Sequence, residues 1–162
     1  MLRMTIEGVG FDHLRETVVV LKDWEGTRLL PIWIGPAEAR AIAIELEGAR
    51  PARPMSHDLL LAVIAAAQGR VTRVVINDLQ DATFFATIDI DTPKGTRHID
   101  SRPSDALAVA VRAKCPVFVD GGAIGALIDA EEVNGLPDLP DAEANNGEDD
   151  EAARFRRLLG DD

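Results

Sequence analysis

The chain has no tyrosine, a single cysteine, three histidines and only 4% aromatic residues. Cys115 on its own cannot close an internal disulfide, and with no paired Cys/His spacing a structural zinc site is not expected. The shortage of rings leaves little for successive bases to stack on, which argues against a long aromatic nucleic-acid groove. No apolar run approaches the roughly 20 residues of a bilayer crossing. The segment Met1-Leu-Arg-Met-Thr-Ile-Glu7 lacks the basic and apolar regions of a signal peptide. A cytoplasmic protein with no membrane association is the expectation. Also missing are a phosphate-binding glycine loop, a Gly-x-Ser-x-Gly elbow and a His-Glu-x-x-His pair.

Basic charge is scarce too. The formal net charge is −11, and residues 131–162 hold 11 acids against three arginines, while residues 1–130 hold 17 acids and 14 bases. The body is nearly neutral and the tail supplies the acidity. Tight binding of long duplex nucleic acid needs a basic face and is not expected.

What the chain does contain is one apolar run that organises the rest. From Ala106 to Val111 no side chain is polar, so a helix there must be buried on every face. Its first turn gathers Arg102, Pro103, Ser104 and Asp105, with Pro suited to a helix start and an acid complementing the free N–H groups. Around it, alternation and turn residues predict strands at Leu2–Glu7, Glu16–Lys22, Arg28–Ile34, Val71–Asp78, Thr83–Ile90, Thr96–Asp100 and Pro116–Asp120. Pro31 marks an edge or a bulge. Helices are expected after Pro36 and from an N-cap at Ser56, the second with Leu60, Val63, Ile64 and Ala67 as its inward stripe. The fold class is therefore α+β, with mixed, coiled sheets built from two strand meanders, each followed by a helix, around one buried helix over about 103–113. The two halves echo one another in Pro36-Ala-Glu38-Ala and Pro103-Ser-Asp105-Ala. One domain spans 1–132, an acidic flexible linker 133–150, and a short C-terminal amphipathic helix 151–162, with Phe155, Leu158 and Leu159 as its apolar face.

Two stretches bring Arg-Pro close before a polar helix start: Arg53-Pro-Met-Ser-His57-Asp58 and Arg102-Pro-Ser104-Asp105. If these starts face one another, they offer arginines for phosphate, His57 for proton transfer and carboxylates for a divalent cation. Glu38, Asp58, Asp100 and Asp105 are the acids available to Mg²⁺ or Mn²⁺, which need one or two carboxylates. The competing explanation is capping by Ser56 and Ser104, with Asp58 and Asp105 paired to the arginines. Asp89 and Asp91 alternate with Ile88 and Ile90 and read as a solvated strand face.

Three blocks, Leu30-Pro-Ile-Trp-Ile-Gly-Pro-Ala-Glu-Ala39, Arg53-Pro-Met-Ser-His-Asp-Leu-Leu60 and Ile99-Asp-Ser-Arg-Pro-Ser-Asp-Ala106, resemble the signatures of the bacterial and plant bifunctional nuclease family. Ser56, Ser101 and Phe85 depart from the usual threonine, alanine and tyrosine, and none of these removes an ionisable carboxylate or base. The resemblance covers about residues 1–130 and implies a nuclease acting on RNA and DNA with little sequence preference, assembled as a homo-oligomer. Carried onto this sequence, its motif positions with chemistry are Glu38, Arg53, His57, Asp58, Arg102, Ser104 and Asp105, with Asp100 inside the third block. On that basis His57, Asp58, Ser104 and Asp105 are the catalytic candidates. Arg53 and Arg102 would hold the phosphate of a short or single-stranded substrate, and Glu38, Asp100 and Asp105 the divalent metal. The alternative is a non-catalytic oligomeric binding or scaffold module in which the Arg/Asp motifs are structural.

Overall fold

The computed structural model describes residues 1–132, so the expected linker and C-terminal helix lie outside the described residues. Eight strands form one open mixed sheet. They are β1 (Leu2–Phe11), β2 (Thr17–Asp23), β3 (Arg28–Trp33), β4 (Arg70–Gln80), β5 (Thr83–Thr92), β6 (Gly95–Ser101), β7 (Val117–Val119) and β8 (Ile128–Asp129), in the spatial order β6-β5-β4-β7-β1-β2-β3-β8. The helices are α1 (Pro36–Leu46), α2 (Ser56–Ala66) and α3 (Pro103–Ala113). The class is α+β, and the two meanders β1-β2-β3 and β4-β5-β6 are each antiparallel throughout. β7 joins them, antiparallel to β1 and parallel to β4. The expected coiled sheets are thus one continuous sheet.

Local sequence explains the joints. Pro31 pairs with Val20 on one side of β3, while β8 on the other side reaches only Arg28 and Leu29, so the missing N–H falls on an open edge. β1 runs on to Phe11 past a register shift between Ile6 and Gly8. After β7 the chain crosses the end of β4 so tightly that a Cβ on Gly121 would meet the Asn77 carbonyl; Gly121 also has φ +55°.

The core is where the apolar runs are densest. Val18, Val19, Val20 and Leu21 of β2 have no exposed surface, and neither have Ala106, Leu107, Ala108 and Val109 of α3. α3 packs on β4 and β5, α1 on β1 and β2, and both α1 and α2 pack against α3. α2 departs from expectation. Although its sequence is apolar, none of its residues is buried, and of the expected inward stripe Leu60 is 40% and Val63 56% exposed. Only Leu61 and Ile64 pack partly on the core, because α2 rests against α3 by one narrow side. No helix among the described residues is long and apolar enough to cross a membrane.

Candidate active site

The starts of α1, α2 and α3 meet. Each helix begins where the sequence breaks an extended segment: Gly35-Pro36 ends β3, Pro54 precedes α2, and Arg102-Pro103 follows β6 directly. The N-cap residues are Gly35, Met55 and Arg102, all extended, so Ser56 and Ser104 sit inside the first turn and do not cap. Capping is instead partly the work of Asp58, whose Oδ2 accepts the Met55 N–H at 2.8 Å.

A line of ion pairs crosses the junction. His57 Nε2 lies 3.0 Å from Asp105 Oδ1, the second Asp105 oxygen accepts from Arg102 Nε at 2.8 Å, and Arg102 Nη2 donates to Glu38 Oε1 at 3.1 Å. Glu38 and Asp105 are the third helical residues of α1 and α3, the same place in the two echoing starts, and both converge on Arg102. Gly35 leaves room for the Glu38 carboxylate, since a Cβ there would displace Glu38 Oε2.

Electrostatics fix the protonation of the central acid. Burial raises the Asp105 pKa, but hydrogen bonds from Arg102 and His57 outweigh it and hold the carboxyl below its ordinary range. Arg102 is pushed up in turn, chiefly by Asp105. An ionised carboxylate only accepts, so His57 donates from Nε2, and in the neutral ring Nδ1 is the basic nitrogen.

Beside this line is a pocket of about 530 Å³, lined by Ser56, His57, Asp105 and Arg102 on its polar side and by Leu60, Ile88 and Ile99 on its apolar side, with Asp100 and Ser101 at the end of β6. Arg102 is the exposed member, with 64% of its side chain accessible, while His57 is 13% accessible.

Of the other candidates, Asp100 lines the pocket at the end of β6, whereas Asp58, Ser104 and Arg53 lie outside its lining. Asp58 follows His57 by one residue, about 100° round the helix. It points to α3, where its Oδ1 accepts from Arg112 Nε at 2.8 Å, and Arg112, only 4% exposed, also donates to the Ala108 carbonyl. Asp58 is therefore a staple between α2 and α3. Ser104 is 6% exposed and outside the pocket lining. Arg53 is exposed in the loop before α2 and makes no ion pair among the described residues. Asp100 pairs with Thr87 in the β5–β6 ladder and shares a row with His98, on the opposite sheet face from Ile99. Among the described residues no group of three or more His, Cys, Asp or Glu is placed to hold a metal ion, and Glu38 and Asp105 are bridged by Arg102.

Asp89 is not on a solvated face. It is 3% exposed, with Arg73 Nε at 2.5 Å and His98 Nδ1 at 2.6 Å, because register places β4 and β6 side chains on either side of it. Asp91, by contrast, is half exposed.

Residues 19–125 match the bifunctional nuclease domain. Two curated proteins of Mycobacterium tuberculosis, from two strains and both named as uncharacterized, are each 37% identical over 145 residues, covering 89% of this chain and 84% of theirs. The matched range holds all three helix starts and every residue of the ion-pair line, and its description points to a nuclease-type function. This chain belongs to the bifunctional nuclease domain family.

Proposed function

We propose that the pocket at the three helix starts cleaves phosphodiester bonds in short or single-stranded RNA and DNA. The observation that carries this reading is the His57–Asp105–Arg102 line along one wall of an open pocket. Arg102 is mostly accessible and directs only Nε and Nη2 at its acids, which leaves guanidinium N–H groups to hold a phosphate oxygen. Asp105 orients the His57 ring through Nε2, so that Nδ1 of the imidazole can take a proton from attacking water and return it to the leaving oxygen. The apolar wall of Leu60, Ile88 and Ile99 suits a base or sugar face. Glu38 and Asp105 outweigh the single charge of Arg102, so affinity for a polyanion is weak and a small substrate is preferred. No step is assigned to Mg²⁺ or Mn²⁺; dependence on either is decided by assay.

The scaffold alternative has its own support in the Asp58–Arg112 pair and in a line of hydrogen bonds that ties three helices together. Single-turnover cleavage of short RNA and DNA separates the two readings, run with Mg²⁺, with Mn²⁺ and with EDTA on rigorously purified protein. Asp105→Asn and His57→Gln are expected to lower the rate at least 100-fold with little change in melting temperature. Equal residual cleavage in both variants and the parent would assign any activity to a contaminant and leave the scaffold role.

A further inference from the structure

The pocket at the helix starts does not end at Ile99. Alternation puts Arg97, Ile99 and Ser101 of β6 in one row. That row lies on the helix side of the sheet, because Ile99 pairs with the buried Ile88 and Arg97 with Ile90, which also packs on the core. α2 runs along the row in the opposite direction. Leu60 lines the pocket together with Ile99, and one turn further on Ile64 stands near Ile90: a Cβ on Gly69 would lie 3.0 Å from both side chains. An open groove floored by Ile88 and Ile90 therefore leads from the pocket, between α2 and β6, to Arg97. Arg97 is exposed, and its side chain makes no hydrogen bond or ion pair among the described residues. Neighbouring arginines are engaged, Arg70 by Asp91, Arg73 by Asp89 and Arg112 by Asp58. No acid of these elements answers Arg97. Asp89, Asp91 and Asp100 fall in the alternate rows of β5 and β6, and Asp58, the one acid of α2, is turned to Arg112.

We infer that Arg97 is a second phosphate contact, and that a single strand of nucleic acid lies along β6 with one phosphate at Arg102 and another at Arg97. This rests on the cleavage assigned above to the pocket and sets the length of its substrate. Five residues separate the two arginines, about 17 Å along an extended strand. Nucleotides in a stacked strand advance about 3.4 Å each. The same span is then about five nucleotides, and fewer where the nucleic acid is extended. The fitting substrate is an oligonucleotide of about six residues, whereas a dinucleotide reaches Arg102 alone. A single strand suits the groove better than a duplex, because its bases are free to lie against Leu60 and Ile99 while paired bases are held in their stack. One more arginine does not reverse the acidic balance of the chain, so the binding is weak and falls with salt. The competing role for Arg97 is to guard an edge strand against pairing, which a cation there does in any protein. That role is indifferent to nucleic acid.

Fluorescence anisotropy of labelled hexathymidylate and dithymidylate, both with phosphorothioate linkages that resist cleavage, reads binding apart from chemistry. The full chain should bind the hexanucleotide more tightly than the dinucleotide. Arg97→Ala should weaken the hexanucleotide about fivefold and lower its logarithmic salt slope by about 0.7, the share of one phosphate on a single strand. It should leave the dinucleotide and the melting curve unchanged, since the Arg97 side chain is exposed and holds no partner among the described residues. Arg97→Lys should keep most of the salt slope. Equal hexanucleotide affinity in parent and Arg97→Ala, an equal loss for the dinucleotide, or no hexanucleotide binding at all would each overturn the inference and leave Arg97 as an edge guard. Hexanucleotide binding that depends on Arg97, without cleavage of the ordinary phosphodiester by the parent, would remove the nuclease and keep the groove. Cleavage of a hexanucleotide that is indifferent to Arg97 would remove the groove alone.

Discussion

Replacing Asp58 by alanine tests whether the second helix is held by one ion pair. The change removes the acceptor of a guanidinium that is only 4% exposed and leaves Arg112 with the Ala108 carbonyl alone. Breaking a buried pair costs about 3–5 kcal/mol. Asp58 itself is 36% exposed, so water reaches one side of the pair, and about 2 kcal/mol is the appropriate share. Loss of the Met55 N–H bond adds about 1 kcal/mol. The expected total of about 3 kcal/mol lowers Tm by roughly 6–12 °C in a chain of this size. Acidification should close the gap between parent and variant. The Met55 amide, together with Arg112 and against burial, holds the Asp58 pKa below its ordinary 3.8. Its contribution is therefore complete above about pH 4 and is lost as pH falls through the lowered value. Thermal melts at pH 7 and at several acid pH values measure both effects. A variant melting within about 2 °C of the parent at pH 7 would show that Arg112 is solvated without its partner, and the staple would be refuted.

Two further outcomes follow from the core and the outer sheet face. Ala108→Asp should leave no soluble folded protein, because a charge with no exposed surface around it costs more than about 4–5 kcal/mol, against a total stability of about 5–15; a soluble variant with parental melting would contradict this. Asp89→Asn should flatten the acid limb of the stability curve. Burial raises the Asp89 pKa, but His98 and Arg73 outweigh it and hold it below 3.8, so the parent loses this contribution only as pH falls through the lowered value. Urea titrations between pH 2 and 7 that show parallel acid limbs for parent and variant would rule out the role.

Much of this arrangement is legible in the residues. The apolar run at Ala106–Val111 announces its own burial, and strand alternation locates both meanders, because those signals are local and strong. The meeting of His57 with Asp105 is legible from two Arg-Pro helix starts, though only as an expectation that they face each other. What is not legible depends on register and rotation. Alternation correctly separates Asp89 from Ile88, yet it cannot know that Arg73 and His98 arrive from neighbouring strands to bury it. The apolar stripe of α2 resembles any inward face, and only tertiary placement leaves it uncovered. Asp58 reads as a partner of His57 because the two are adjacent in sequence, whereas one helical step turns it toward Arg112. Arg112, at the end of an apolar helix, gave no sign beyond being its last basic residue.

The junction strand β7 has a kinetic consequence. Each meander consists of neighbouring hairpins and can form from local contacts, which are made quickly. The hydrogen-bonded continuity of the sheet between them depends on three residues, Val117–Val119, inserted between β1 and β4 and lying after both meanders in the chain. During synthesis the first strand therefore waits beside solvent until more than a hundred later residues have emerged, with its edge open to another nascent chain. Closing the sheet is a late, long-range event, and a ribosome stalled before Val117 would display two half-sheets joined only through their helices.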